Sequence, residues 1–298
     1  MPVELHPSLL SQMGQSELEQ DELAGLDALE METAAAPALI RRFLTALWPK
    51  AAALVIALLA WQVLVWSRWK PEYALPGPAT VFPALADVLR SGLFWSALGT
   101  TIRRALSGFG LSVVIGTLLG IAVTRSSHLR RAVGSLITGL QTMPSITWFP
   151  LAILLFKLSE GAILFVVLLG ATPSIANGMI NGVDHIPPLL LRAGTVLGAK
   201  GWSLLRWVVL PAALPGYFGG LKQGWAFAWR SLMAGELLVI IGKKPSLGVR
   251  IDFARQLNDT PLLIAYMIVI LVIGILVDTA FGQGERRLRR RRGLVEDN

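Results

Sequence analysis

Side chains able to hold a metal or attack a substrate are few in this sequence and poorly spaced for the task. The three histidines, His6, His128 and His185, stand too far apart to offer metal-ligand spacing. There is no cysteine to form a thiolate site, a nucleophile or a disulfide. No Ser/His/Asp cluster, no histidine pair four residues apart and no paired carboxylates inside an apolar stretch occur; Asp184, Glu236 and Asp278 all lie near segment ends. A phosphate-binding loop is missing too, because Gly242-Lys243-Lys244 runs into Pro245 with no hydroxyl to follow the lysine. The expectation is no catalytic residue, no metal ligand and no cofactor on this chain. What remains is polar side chains placed within apolar segments, where they are costly and mark cavity linings or helix contacts. Thr142, Ser145 and Thr147 flank Pro144; Asn177 and Asn181 share a helix face near Ser174; Trp225, Trp229 and Arg230 form a third group, with Glu236 just beyond. Arg230 is the obvious attractive charge for an anion, unless it pairs with Glu236 or snorkels to an interface. The asparagines line a path or else bond neighbouring helices at about 0.6–2 kcal/mol each.

The elements that carry these groups follow from composition. Of 298 residues, 54% are apolar and only 15% charged, with a mean hydropathy of +0.60. Soluble domains carry about 25% charged residues, so this chain is read as an integral membrane protein. A bilayer core needs about 20 apolar residues per helix. Six candidate spans meet that need, at 47–66, 106–123, 132–156, 162–183, 211–232 and 261–281. With the N-terminus inside, Lys and Arg are more numerous in the inner loops than in the outer ones, and six arginines crowd into 286–292. Both termini are therefore expected in the cytoplasm. The arginine tail is expected to fix topology and touch anionic lipid, not nucleic acid.

Residues 1–36 hold eight acids, from Glu4 to Glu32, and no Lys or Arg. They are expected to be a disordered or loosely helical cytoplasmic extension. The chain thus divides into an acidic extension (1–40), a six-helix membrane domain (41–285) and a basic tail (286–298). Between the first two spans, Thr80 is expected to cap a short helix with Val81, Phe82, Leu85, Val88 and Leu89 on one face, lying at the outer interface or packed on the bundle. Glycines one turn apart (Gly116 and Gly120; Gly178 and Gly182; Gly216, Gly220 and Gly224) point to close helix packing. Prolines at 144, 150, 173 and 215 are expected to kink helices or free carbonyls.

The most informative stretch is the long loop at about 186–211. Pro187 and Pro188 stop the fourth span, Leu189, Leu190, Ala193, Val196 and Leu197 make a helical face, and Gly198 to Gly201 break it before Trp202. A loop of this length with its own amphipathic helix usually makes a protein contact, and Gly194 and Gly198 are expected to leave one face bare for it. The loop reads Arg192-Ala193-Gly194, three residues, Gly198, nine residues, then Val208-Val209-Leu210-Pro211. This resembles the cytoplasmic loop of permease subunits of ATP-binding-cassette importers: Glu-Ala-Ala, three residues, Gly, nine residues, Ile-x-Leu-Pro. LPGPATVFPAL at 75–85, RRALSGFGLSVVIGTLLGIAV at 103–123 and QTMPSITWFPLAILLF at 141–156 resemble the branch that imports sulfonates, taurine, nitrate or bicarbonate. Two departures stand out. Arg192 replaces the family's leading acid, and the outer loop GKKPSLGVR at 242–250 is unusually basic.

The resemblance implies an all-α, six-transmembrane-helix bundle of the type I importer class, in the bacterial plasma membrane. It implies a separate ATPase that binds ATP and Mg and receives helix 189–199 in a groove. Arg192, Ala193, Gly194, Gly198, Leu210 and Pro211 would form that coupling loop. It further implies a homodimer, two ATPase subunits and an extracytoplasmic solute-binding protein. Thr142, Ser145, Asn177, Asn181, Trp225, Trp229 and Arg230 are the candidate path residues, for an aliphatic sulfonate or taurine in the first place. Nitrate, bicarbonate or a thiamine-precursor-like solute is the alternative. An ion-gradient-driven carrier is the other transport reading, but the sequence shows neither an inverted repeat nor mid-membrane carboxylates.

Overall fold

The computed structural model describes residues 39–242 and 244–291, and the described residues contain helices, turns and no strand. The acidic stretch 1–36 and the end of the tail from 292 lie outside the described residues. The chain forms two packing units that divide between Ser67 and Arg68. The first contains α1 (Leu39–Trp66), with Pro49 inside it. Leu54, Ile56, Leu59 and Val63 of α1 are all exposed, a surface suited to lipid and not to water.

The second unit opens with α2 (Pro78–Arg90), α3 (Gly92–Arg125) and α4 (Ser127–Thr142). A 3-10 turn (Ser145–Trp148), α5 (Phe149–Phe156), α6 (Glu160–Asp184) and α7 (Pro188–Val196) follow. Then come α8 (Trp202–Leu204), a π turn (Leu205–Val209) and α9 (Leu210–Leu238). The unit closes with α10 (Leu247–Gln256) and α11 (Thr260–Arg291). Serines cap three of the helices: Ser91 Oγ accepts from Phe94 N at 3.1 Å, Ser126 Oγ from Leu129 N at 3.3 Å and Ser246 Oγ from Val249 N at 3.5 Å.

Among the described residues, four runs are long and apolar enough to cross a bilayer: Gly92–Arg125, Glu160–Asp184, Trp202–Leu238 and Thr260–Leu288. Ala51–Trp66 is a shorter apolar helix. The expected span at 132–156, with its expected kink at Pro144, is two helices, Ser127–Thr142 and Ser145–Phe156, bent by 103°. Pro144 explains the break, since it disfavours helical backbone at the residue before it, and Met143 is extended at φ −77°, ψ 129°. The helix that starts at Trp202 runs on through the π turn into α9, so the fifth span, expected from 211, begins at 202. Pro211 has no N–H to return to the preceding turn, and the helix widens into the π turn just before it. Helix α2 starts at Pro78, with Gly77 and not Thr80 at the cap position. Its apolar face is split: Val81 and Val88 are buried while Phe82 and Leu89 are exposed, and Val88 packs with Phe94, Leu247 and Tyr266 on the bundle.

Helix α6 is the axis of the second unit, packed against α3 on one side and α9 on the other. The glycine stripes are what let it fit. A Cβ on Gly116 would lie 2.8 Å from Ile175 Cβ, and one on Gly120 would lie 2.7 Å from Met179 Cβ. On the other side Gly178 meets Gly220 and Gly182 meets Gly216, backbone to backbone; a Cβ on Gly182 would sit 2.5 Å from Ala213 O. In lipid such close van der Waals contact is the main force between helices. The substitution Gly178→Val should destabilise the folded chain by about 3 kcal/mol or more, beyond ordinary overpacking, because backbone and not a side chain must yield. Thermal unfolding in detergent measures this. Gly110→Val, where a Cβ meets open space, is the control and should change little.

Candidate functional site

The sequence-predicted residues fall at two ends of the bundle and along α9. At one end, α7 begins at Pro188 and is followed by two glycines with left-handed backbone, Gly198 at φ 87° and Gly201 at φ 55°. These turn the chain from α7 into α8 where a side chain would be strained. Gly194 is not bare as expected. It is buried, and a Cβ there would lie 2.8 Å from Val208 Cγ2 and 3.1 Å from Leu204 Cδ1. Gly194 therefore seats α7 on the run that leads into α9, while Gly198 keeps open space around it. Leu189, Val196 and Leu197 are left 75%, 87% and 87% exposed, and Arg192 and Ala193 are exposed between them. Leu210 and Pro211 are half-buried at the start of α9. At the same end Arg130 on α4 grips Asp184 at the end of α6, with Nη2 to Oδ1 at 2.7 Å.

The polar groups expected along a path are dispersed. Gln141 Nε2 donates to Ser174 Oγ at 3.0 Å, and Asn177 Nδ2 donates to Gln141 Oε1 at 3.4 Å, so Asn177 bonds α6 to α4. Thr142 is exposed and its hydroxyl donates to Gly139 O at 2.8 Å; Ser145 is half-buried at the 3-10 turn. Asn181 lines a cavity of about 600 Å³ with His185, Leu190 and Pro215 beside α7. Trp225 and Trp229 are stacked with ring centroids 6.1 Å apart and buried in the main core, Trp225 meeting Phe109 edge-on at 5.2 Å. Arg230 is exposed on α9, its guanidinium 5.5 Å from the Phe227 ring. It does not pair with Glu236, which has other partners.

Those partners form a charged cluster at the opposite end from α7. Arg104 on α3 donates Nε to Glu160 Oε2 at 2.7 Å and Nη2 to Glu160 Oε1 at 2.8 Å, a two-pronged pair with the start of α6. Its Nη1 donates to Glu236 Oε1 at 2.9 Å, near the end of α9. Glu236 is wholly buried and also accepts from Thr101 Oγ1 at 2.9 Å and from Gly248 N at 3.1 Å. Thr101 Oγ1 in turn accepts from Leu247 N at 3.0 Å, and Lys244 Nζ reaches Glu160 Oε1 at 3.2 Å. Two acids and two bases thus join α3, α6, α9 and α10 with no net charge. The span expected to start at 106 leaves Arg104 outside it, and Glu160 falls in a loop, so the sequence alone does not bring these side chains together. A neutral sum of charges beside otherwise apolar segments was the available signal.

This arrangement, apolar helices crossing on glycine with an exposed apolar helix at one end, is that of a multi-pass membrane protein. A family described as binding-protein-dependent transport system inner membrane component matches residues 112–290, and the chain belongs to it. It is 32% identical over 238 residues to the riboflavin transport system permease protein RibX of Chloroflexus aurantiacus, covering 80% of this chain and 87% of that one. It is 29% identical over 250 residues to the putative aliphatic sulfonates transport permease protein SsuC of Bacillus subtilis, covering 84% and 90%. The inward-facing MetNI methionine ABC transporter has the same fold, with a TM-score of 0.53 at 19% identity over 66% of this chain and 99% of that one.

Removing one side of a buried pair strands the other charge, at about 3–5 kcal/mol. Arg104→Met should therefore destabilise the chain by that amount in detergent unfolding, and adding Glu236→Gln should restore part of it. A single variant as stable as the parent would refute the cluster's role.

Proposed function

We propose that this chain is the permease subunit of an ATP-driven importer, working as a homodimer with two ATPase subunits and an extracytoplasmic solute-binding protein. Both termini lie in the cytoplasm of this arrangement, and ATP and Mg are bound by the partner ATPase. The observation that carries the reading is the exposed apolar face of α7 and the turn after it, with Leu189, Val196 and Leu197 turned outward from a helix seated on Gly194. Such a patch, rimmed by Arg192 and Lys200, has the character of a docking surface. Docked there, an ATPase would push α7 against Leu204 and Val208 and so load the long helix ending near Glu236. Arg192, Ala193, Gly194, Gly198, Leu210 and Pro211 are the coupling loop in this reading.

The solute carries a sulfonate group, either as an anionic aliphatic sulfonate or as the zwitterion taurine. Arg230 supports this. It lies eight residues inside the end of α9, about 12 Å deep at the helical rise, and has no ion-pair partner among the described residues. It shares an exposed face with Gly219 and Gln223, which in a membrane must face protein or water. The path lies along this face, with Thr142, Ser145, Asn177 and Asn181 toward the other helices and Trp225 and Trp229 stiffening α9 from behind. A riboflavin-type solute is the second reading, supported by the identity to RibX.

Val196→Asp with Leu197→Asp should abolish co-purification with the ATPase while membrane insertion stays normal, and Gly198→Asp should do the same. Co-purification at parental yield would overturn the docking assignment. Arg230→Gln should cut solute uptake by at least about tenfold with ATPase docking intact. Undiminished uptake would remove Arg230 from the path.

A further inference from the structure

At the end of the bundle that holds the Arg104 cluster, α2, α10 and α11 enclose a cleft of about 310 Å³ lined by Asp87, Ser91, Arg250, Asp259 and Tyr266. This is the lower end of the size range for small-molecule sites. Its charges are of both signs, sit on three different helices or their ends, and make no ion pair with one another. Arg250 is held in place: its Nε donates to Tyr266 Oη at 3.4 Å, and its guanidinium lies 5.0 Å from the Phe253 ring and 5.9 Å from the Tyr266 ring. Among the described residues, its Nη groups have no acceptor. Asp259 is held as well, with Oδ1 accepting from Leu262 N at 3.0 Å as the cap of α11. Among the described residues, its second oxygen has no donor, and neither has Asp87.

We propose that this cleft binds a small zwitterion, its anionic group on the Nη fork of Arg250 and its ammonium between Asp87 and Asp259. A plain anion meets two carboxylates with one arginine, and a plain cation meets Arg250. Only a molecule carrying both charges satisfies all three side chains. The site also reads into the bundle. Gly248 N, two residues before Arg250 on α10, donates to buried Glu236, so a ligand drawing on Arg250 pulls the helix that helps to hold the Arg104 cluster. That consequence for transport rests on the importer reading, and it selects amino-sulfonates over simple sulfonates. The binding itself does not depend on that reading.

The experiment is equilibrium binding of labelled taurine to the full chain in detergent, with ethanesulfonate and ethylamine as single-charge competitors. Saturable binding is expected, with at least about tenfold preference for taurine over either competitor, as loss of one charged hydrogen bond implies. Asp259→Asn keeps the helix cap and should still lose about tenfold in affinity, as should Arg250→Lys, which keeps the charge but not the fork. No saturable binding, ethanesulfonate competing as well as taurine, or unchanged affinity in both variants would overturn the proposal. Taurine binding that survives without ATP-driven uptake would support the cleft and count against the importer reading alone. Uptake without binding would overturn the cleft alone.

Discussion

The contact on which the rest of the structure depends is the backbone crossing of α6 and α9 at Gly178, Gly182, Gly216 and Gly220. In a bilayer there is no hydrophobic drive between helices, so association rests on closeness of approach, and here Cα atoms take the place of side chains. The crossing fixes where both ends of α6 fall. One end, Asp184, meets Arg130 and the start of α7; the other, Glu160, meets Arg104. Helix α9, clasped along its first half, is then obliged to deliver Glu236 to the same arginine.

Burying Glu236 completely is costly unless its charge and lone pairs are met. The guanidinium, a hydroxyl and a backbone N–H all converge on it, and Glu160 with Lys244 completes the neutral sum. The cluster thus ties three membrane helices and α10 at one end, whereas the other end carries a helix with its apolar side turned out. One end is closed by charge and the other leaves Leu189, Val196 and Leu197 exposed. The long run Trp202–Leu238 is the physical link between them.

Much of this was legible in the residues because glycine spacing and proline position have local consequences. Gly116, Gly120 and the stripes of α6 and α9 declared close packing, and the structure pairs them through α6. Pro144 announced a kink, and the two helices beside it are bent by 103°. The spacing around Gly198 correctly marked a turn, while Gly194 was misread as bare because its filling neighbours, Leu204 and Val208, arrive only after the chain reverses. The Arg104 cluster was hidden for the same reason: its members are separated by 56 and 132 residues and meet only through the fold. Arg230 and Glu236, six apart on one helix, invited a pairing that helical geometry does not favour, since i,i+3 and i,i+4 neighbours are the ones that face each other.

In the proposed function this chain opens a path only when an ATPase drives it. The most direct test is reconstitution of the full chain in vesicles with its ATPase subunit and solute-binding protein, followed by uptake of labelled aliphatic sulfonate and taurine. Accumulation that requires ATP and all three components, and that persists when ion gradients are collapsed, is the predicted result. Accumulation by the chain alone, driven by an ion gradient, would contradict it.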